Sequence, residues 1–144
     1  MLARLVCLGA PVLVGVVGLV VALAISGDLP ERVAVHVDTG QPRGYTGRGT
    51  AVALVAIGPA VGLVAAAFGL LIARGRPGWQ RLVAAASTGI AVLLTFLVVG
   101  MLWEQRGLYD PRQSPGLDGV ILPAFVLSAV LAVAAGALAS ASRR

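Results

Sequence analysis

The sequence predicts an all-α integral membrane protein in which four transmembrane helices form a small bundle. Three observations support this prediction: 58% of the 144 residues are hydrophobic, only 12% are charged, and the mean hydropathy is +0.95. The charged residues are also clustered, so that four long apolar runs contain none before their ends. About 20 helical residues cross the roughly 30 Å hydrocarbon core of a bilayer. We therefore predict one transmembrane domain over residues 1–144.

The apolar runs predict helices at about residues 5–25, 50–73, 82–103 and 120–140. Strands of a membrane barrel are shorter and alternate in polarity, so helices are the spanning form that fits. The first run also resembles a signal peptide, because it ends near an Ala-Leu-Ala sequence at 22–24. Signal peptides usually have an apolar core of only about 7 to 15 residues. We therefore predict that the first run is a retained helix.

The arginines predict the orientation of this bundle. Six arginines and no acidic residue lie at one end of the helices, whereas five arginines and all six acidic residues lie in the connections 26–49 and 104–119. Short, purely basic connections are typical of the cytoplasmic side. The chain also contains no Lys and no Asn, which is typical of a GC-rich, bacterial genome. We expect a bacterial inner-membrane protein with both termini in the cytoplasm and 26–49 and 104–119 as outer loops.

The high isoelectric point, about 11.1, would suggest nucleic-acid binding in a soluble protein. Here the arginines flank apolar runs, and the orientation of the helices explains their positions better. The lipid bilayer is therefore the expected partner, and no nucleic acid is expected.

The first outer loop has the features of an ordered cap. Residues 32–38 alternate valine with polar or small residues, which predicts a short β-strand. Residues that favour turns follow it: Gly40, Pro42, Gly44 and Gly47. An isolated strand is marginally stable in water. We therefore expect the strand to pack on the helix ends or on Leu108 and Tyr109 of the second outer loop.

Small residues recur four positions apart in three of the predicted helices. They are Gly18 and Ala22 in the first helix, Gly58, Gly62 and Ala66 in the second, and Ser128, Ala132, Gly136 and Ser140 in the fourth. Such patterns allow the backbones of membrane helices to approach closely. Two interpretations remain open: packing within one bundle, or a surface for another membrane protein or a second copy of the chain.

The predicted spans contain no ionisable side chain apart from the single cysteine, Cys7. Their main polar side chains are Ser87, Thr88, Thr95 and Ser128, and each of these can bond back to its own helix. Small four-helix drug exporters depend on a membrane-embedded acid to couple protons. Its absence argues against a proton-coupled carrier, because intramembrane charges usually mark such pathways.

His36 and Asp38 could share one face of the predicted strand. Two ligands make a poor metal site, and Asp28 or Glu31 would have to fold back to complete it. The single cysteine, Cys7, excludes an internal disulfide. No nucleophile triad, phosphate-binding loop or dinucleotide motif occurs. We therefore predict no metal, no cofactor and no enzymatic activity.

The first outer loop contains Leu29-Pro30, Val35-His36-Val37, Gly40, Gly44-Tyr45 and Gly47-Arg48. In these residues it resembles a bacterial membrane domain of unknown function that also occurs in SdpI-type toxin-immunity proteins, and the resemblance covers about the first half of the chain. Val37 stands where that family usually has an aromatic residue. The length and internal order of the loop leave two interpretations open: a recognition element, or a structural cap that shields the outer end of the bundle. The candidate recognition residues of the loop are Leu29, Pro30, His36, Asp38, Gly40, Gly44, Tyr45 and Arg48.

Two functional hypotheses follow from these observations. The first is a small non-enzymatic bacterial membrane protein that acts as an accessory, immunity or sensing protein through its outer loops. The alternative is a structural subunit of a larger membrane transporter or envelope enzyme complex, which would contact its partners through the small-residue faces. An enzyme at the outer surface would require His36 and the loop carboxylates to converge.

Overall fold

A computed structural model of the chain describes residues 2–38, 41–73, 76–114 and 117–141. The helices and strands follow one another as α1 (Leu2–Ile25), β1 (Arg32–Asp38), β2 (Gln41–Gly47), α2 (Arg48–Ala53), α3 (Ile57–Ile72), α4 (Pro77–Glu104) and α5 (Asp118–Ala141). Three short 3-10 turns lie between them, at Ser26–Asp28, Leu54–Ala56 and Pro111–Gln113.

Within the described residues, four helical segments are long and apolar enough to cross a membrane. They are Ala3–Asp28, Arg48–Ile72, Gly78–Glu104 and Asp118–Ser140. This confirms the predicted number of helices of spanning length and the coarse, all-α fold class. The largest difference in bounds is at α4, which begins at Pro77 instead of near residue 82. Proline suits the first turn of a helix because its missing N–H has no helical partner there.

Helix α4 is the centre of the bundle. It packs against α1, α3 and α5, while α3 and α5 lie on opposite sides of the α1–α4 pair. In agreement, 39% of the most apolar 18-residue segment of α4 is buried within the protein, compared with 17% of the corresponding segment of α5. The remaining surfaces of α1, α3 and α5 carry exposed Leu, Val, Ile and Phe side chains, as expected for helices that face lipid.

The small-residue patterns lie inside this bundle. A Cβ atom at Gly58 would lie 2.7 Å from the backbone nitrogen of Thr95, and one at Gly62 would lie 2.8 Å from the Ser87 carbonyl oxygen. Gly136 of α5 similarly faces the Ala85 side chain and the Arg81 carbonyl oxygen of α4. Of the two interpretations left open by the sequence, packing within one bundle accounts for these residues.

The second spanning helix is divided by the 3-10 turn Leu54–Ala56. Pro59 follows in the first turn of α3 and has no N–H to donate to the Val55 carbonyl. The space beside the Pro59 ring is provided by Gly15 of α1, where a Cβ atom would lie 2.7 Å from the ring. The proline therefore adjusts the helix locally without ending the span, as membrane helices allow.

Strands β1 and β2 form an antiparallel hairpin. Arg32 pairs with Gly47 and Asp38 pairs with Gln41, and the register is irregular between Ala34 and Val37. The predicted strand 32–38 is confirmed, but the prediction that turns follow it was wrong for Pro42, Gly44 and Gly47, which lie within β2. Gly40 lies outside the described residues. Strand pairing outweighs the low strand propensity of glycine and proline here.

The hairpin packs on the ends of the spanning helices through a continuous apolar cluster. Its buried members are Ala22, Ile25, Leu29, Val33, Ala51, Val52, Val55, Met101 and Leu102. The expectation that the strand packs on helix ends is therefore confirmed, whereas Tyr109 is fully exposed. We call this end of the bundle the cap end, and the opposite end, which carries Arg4, Arg76 and Arg81, the basic end.

Candidate functional site

Gln105 joins the hairpin to α4. It follows directly after the last residue of α4, and its side chain is completely buried. Its carboxamide oxygen accepts a hydrogen bond from the Ala34 backbone nitrogen at 2.7 Å, and its nitrogen donates to the Ala34 carbonyl at 2.9 Å. The same nitrogen donates to the Met101 carbonyl at 3.2 Å. The carboxamide thus pairs with β1 as a neighbouring strand would, and satisfies two buried backbone groups.

A second connection joins the two loops at the cap end. The Gly107 nitrogen donates a hydrogen bond of 2.8 Å to the Asp28 carbonyl. Gly107 has a φ of 71°, a left-handed conformation in which a Cβ atom is unfavourable. The Arg48 nitrogen donates to the Glu31 carbonyl at 3.1 Å and ties the start of α2 to the residue before β1.

These connections enclose one side of an open cleft of about 590 Å³ between the two loops. Residues from the end of α1, the start of β1 and the loop after α4 line it: Asp28, Leu29, Pro30, Glu31, Arg32, Gly107, Leu108 and Tyr109. The cleft combines an apolar floor at Leu29, which is 2% exposed, with a Tyr109 ring that is fully exposed.

Three charged side chains border the cleft: Asp28, Glu31 and Arg32. All three are exposed, and none forms an ion pair with another described residue. Within the described ranges, a ligand could contact them without breaking an ion pair. Such an arrangement can bind a polar or charged group above an apolar surface, as small recognition sites commonly do.

The structure places two of the eight candidate recognition residues at this cleft. Leu29 forms its buried floor and Pro30 its half-buried wall. Tyr45 pairs with Ala34 in the hairpin and is 39% exposed, and Gly44 pairs with His36. Leu29 is therefore a core residue of the cap that also borders the cleft.

The other four candidates lie elsewhere in the loop. His36 and Asp38 belong to β1, but their side chains lie outside the described part of the molecule, as does the whole of Gly40. Arg48 is the first residue of α2, and its Nε atom is buried without a hydrogen-bond partner among the described residues. Whether His36 and Asp38 converge on one ligand stays a prediction.

No three His, Cys, Asp or Glu side chains lie close enough to hold a metal ion in the described ranges. The side chains of His36 and Asp38 lie outside those ranges. The sequence-based expectation of no metal at these two residues therefore stays a prediction, to be checked by metal analysis of a His36→Ala variant.

Sequence reasoning missed the residues that build the site. Gln105 has the polarity of a surface residue, and nothing in the local sequence signals a contact with Ala34, 71 positions away. The role of Gly107 could have been predicted more easily from the sequence, because a glycine soon after a helix often adopts a positive φ. Glu31 and Arg32 were recognised only as loop charges.

Comparison of the chain with protein-family models, with curated proteins and with solved structures gives no match.

Proposed function

We propose that this protein is a small non-enzymatic membrane protein of the bacterial inner membrane, which acts as an accessory, immunity or sensing protein through its cap. The observation that carries the proposal is the cleft between the two loops, with an exposed Tyr109 and three charged side chains that form no ion pair within the described part of the molecule. Both termini are placed in the cytoplasm, so that the cap faces outward. The purely basic connections at the opposite end support this orientation.

The construction of the cap supports recognition over simple tethering. Helices of a bundle can be joined by about 2 to 8 residues, whereas α1 and α2 are separated by a folded hairpin that packs on the helix ends through a shared apolar cluster. Long loops with their own structure are disproportionately functional. Gln105 holds this hairpin in one position, which lowers the ordering cost of binding.

The resemblance of the first loop to the domain found in SdpI-type immunity proteins gives the proposal its direction. The motif residues Leu29 and Pro30 line the cleft. A protective or sensing role would require a secreted or surface-exposed ligand, and the cleft is the described part of the cap with both polar and apolar groups available to bind it.

Photocrosslinking in the native host tests this proposal. A photoreactive phenylalanine analogue replaces Tyr109 at the cleft, and matched cells carry it at Phe68, which is 65% exposed on the apolar surface of α3. We expect a specific protein or peptide adduct from position 109 and lipid adducts only from position 68. Glu31→Gln and Arg32→Gln variants should weaken the adduct while leaving thermal stability unchanged.

The alternative hypothesis, a subunit of a larger membrane complex, predicts the opposite pattern. A defined protein adduct at position 68, with none at position 109, would reject recognition through the cap. Equal adduct yields with and without Glu31→Gln and Arg32→Gln would show that the charged residues of the cleft have no part in binding. Recognition would then involve another part of the cap.

A further inference from the structure

A second depression lies between α4 and α5 at the cap end and is separate from the cleft. It is a crevice of about 380 Å³. Its lining is mainly apolar and comes from the last turns of α4 and the first turns of α5: Phe96, Val99, Gly100, Trp103, Glu104, Gly119, Val120 and Pro123.

The shape of the crevice follows from the spacing of three α4 residues. Phe96, Gly100 and Trp103 are four and three positions apart, which places them on one face of a helix. At Gly100 the two helices come into close contact, because the Val120 side chain occupies the space that a Cβ atom would need. The large rings of Phe96 and Trp103 lie about one turn to either side of this contact and border the crevice.

Two oppositely charged residues lie next to Trp103, whose indole ring lines the crevice. The Arg106 guanidinium carbon lies 4.0 Å from the centre of the Trp103 ring, in a cation–π contact. Glu104 lines the crevice itself and forms no ion pair with Arg106 or any other described residue. Both charged groups lie at the end of a spanning helix, at the level where tryptophan prefers the membrane interface.

We propose that this crevice binds phosphatidylethanolamine. Its acyl chain lies along Phe96, Val99 and Pro123, its phosphate contacts the Arg106 guanidinium, and its primary ammonium contacts the Glu104 carboxylate. Arginine binds phosphate through several N–H groups, and a primary ammonium offers three hydrogen-bond donors to a carboxylate. Phosphatidylcholine has the same charges but no N–H donors, and phosphatidylglycerol has no cation for Glu104.

The charge pattern selects this lipid over a protein helix as the occupant. A partner helix would cover Glu104 and Arg106 and would have to supply a matching pair of charges within the membrane interface, at a desolvation cost. A zwitterionic headgroup supplies both charges on one molecule while remaining hydrated. The inference depends neither on the proposed role of the cap nor on the orientation of the chain.

Quenching of tryptophan fluorescence by brominated lipid measures this binding. The chain has two tryptophans, so a Trp79→Phe variant reports on Trp103 alone. This variant is reconstituted in phosphatidylcholine vesicles in which a minor fraction of lipid carries bromine on the acyl chain. The brominated lipid is phosphatidylethanolamine, phosphatidylcholine or phosphatidylglycerol, always with the same chains.

We expect brominated phosphatidylethanolamine to bind about two- to fivefold better than brominated phosphatidylcholine, as judged by quenching. Adding Glu104→Gln should reduce this ratio to near one, and Arg106→Gln should reduce it as well, whereas Arg106→Lys should retain part of it. Glu31→Gln in the cleft is the matched control and should leave the ratio unchanged. Because each ratio is taken within one variant, a general change in Trp103 fluorescence does not affect it.

Equal quenching by the three lipids would show ordinary contact with bulk lipid and would overturn the proposal. Stronger quenching by phosphatidylglycerol would overturn it too, because only the arginine would then select the headgroup. A preference for phosphatidylethanolamine that survives Glu104→Gln would also reject the assigned site.

Discussion

The cap and the interior of the bundle are held together in different ways. The cap is fixed by hydrogen bonds between segments distant in sequence: two between Gln105 and Ala34, one from Gly107 to Asp28 and one from Arg48 to Glu31. In the bundle, helices approach through small residues such as Gly58 and Gly62, and described side-chain hydrogen bonds between helices are few. Examples are Ser128 to the Gly89 carbonyl at 2.8 Å and Ser87 to the Cys7 carbonyl at 3.5 Å.

This difference reflects the surroundings of each region. In the spanning segments the helices satisfy their own backbone groups, so close contact between helices needs only small side chains. The hairpin has strand edges with backbone groups that no helix satisfies, and burial of β1 on the helix ends makes a partner necessary. The Gln105 carboxamide is that partner for Ala34. The cap should therefore be sensitive to loss of polar groups, and the bundle to added volume.

The largest effect is expected from Gln105→Leu. Leucine has a similar size but leaves the Ala34 N–H and carbonyl groups buried without a partner, at about 1–3 kcal/mol for each group. We expect a loss of about 3 kcal/mol or more in the free energy of unfolding in detergent. Gln113→Leu, at an exposed position in the second loop, is the control and should change it little. Equal effects of the two substitutions would contradict the structural role assigned to Gln105.

The next largest effect is expected from Gly58→Ala inside the bundle. The added methyl group would meet the Thr95 backbone nitrogen and the Ala91 carbonyl oxygen at less than 3 Å, and backbone atoms cannot move aside cheaply. Overpacking of this kind costs about 1–3 kcal/mol. Gly9→Ala in α1, where nothing lies within 4 Å, should be neutral or slightly stabilising. An unchanged thermal midpoint for Gly58→Ala would contradict the close contact of α3 and α4 at this position.

A smaller effect is expected from Gly107→Ala, which tests the second connection of the cap. No atom lies within 4 Å of the added methyl group, so the cost comes only from the left-handed backbone and should be about 1–2 kcal/mol. Gly27→Ala, also unobstructed but without a positive φ, is the control. Thermal unfolding of the two variants should differ by that amount, and a Gly27 variant that is equally destabilised would contradict the assignment of strain to Gly107.

The smallest effect is expected from Ser128→Ala. This change removes the hydrogen bond from α5 to the Gly89 carbonyl, and polar contacts between membrane helices average only about 0.6 kcal/mol. We expect a loss of that size, measured by unfolding in mixed micelles, because the close packing of α4 and α5 remains. A loss of stability as large as that of Gln105→Leu would contradict the conclusion that the cap depends on hydrogen bonds more than the bundle does.

The spanning helices could be predicted from sequence because the physical rule is local. An apolar run of sufficient length without charge specifies a span whatever lies around it, and α1, α3, α4 and α5 follow from this rule. The presence of Gly58 and Gly62 at an interface was predictable too, but the partner was not. Gly58 and Gly62 face the inside of the bundle because α4 lies against them, and the sequence pattern does not specify the position of α4.

The cap could be predicted only in part, because its contacts join distant segments. The valine alternation of β1 was sufficient to predict a strand, while the glycines and proline of β2 indicated turns. Pairing with β1 and packing on the helix ends override that local preference. Leu29 was selected through a family resemblance, and its burial gives it a structural role as well. Tyr109, the most exposed large side chain of the cleft, has no sequence pattern that would indicate recognition.

The central claim is that the cap, with its cleft, faces the outside of the cell. Thiol labelling of intact cells tests it most directly, in a chain in which Cys7→Ala removes the only native thiol. Arg112→Cys lies at an exposed position of the cap end, and Arg76→Cys lies at an exposed position of the basic end. We predict that a membrane-impermeant maleimide labels the Arg112→Cys variant on intact cells and the Arg76→Cys variant only after lysis. Labelling of the Arg76→Cys variant on intact cells, with protection of the Arg112→Cys variant, would place the cap in the cytoplasm and contradict the proposed function.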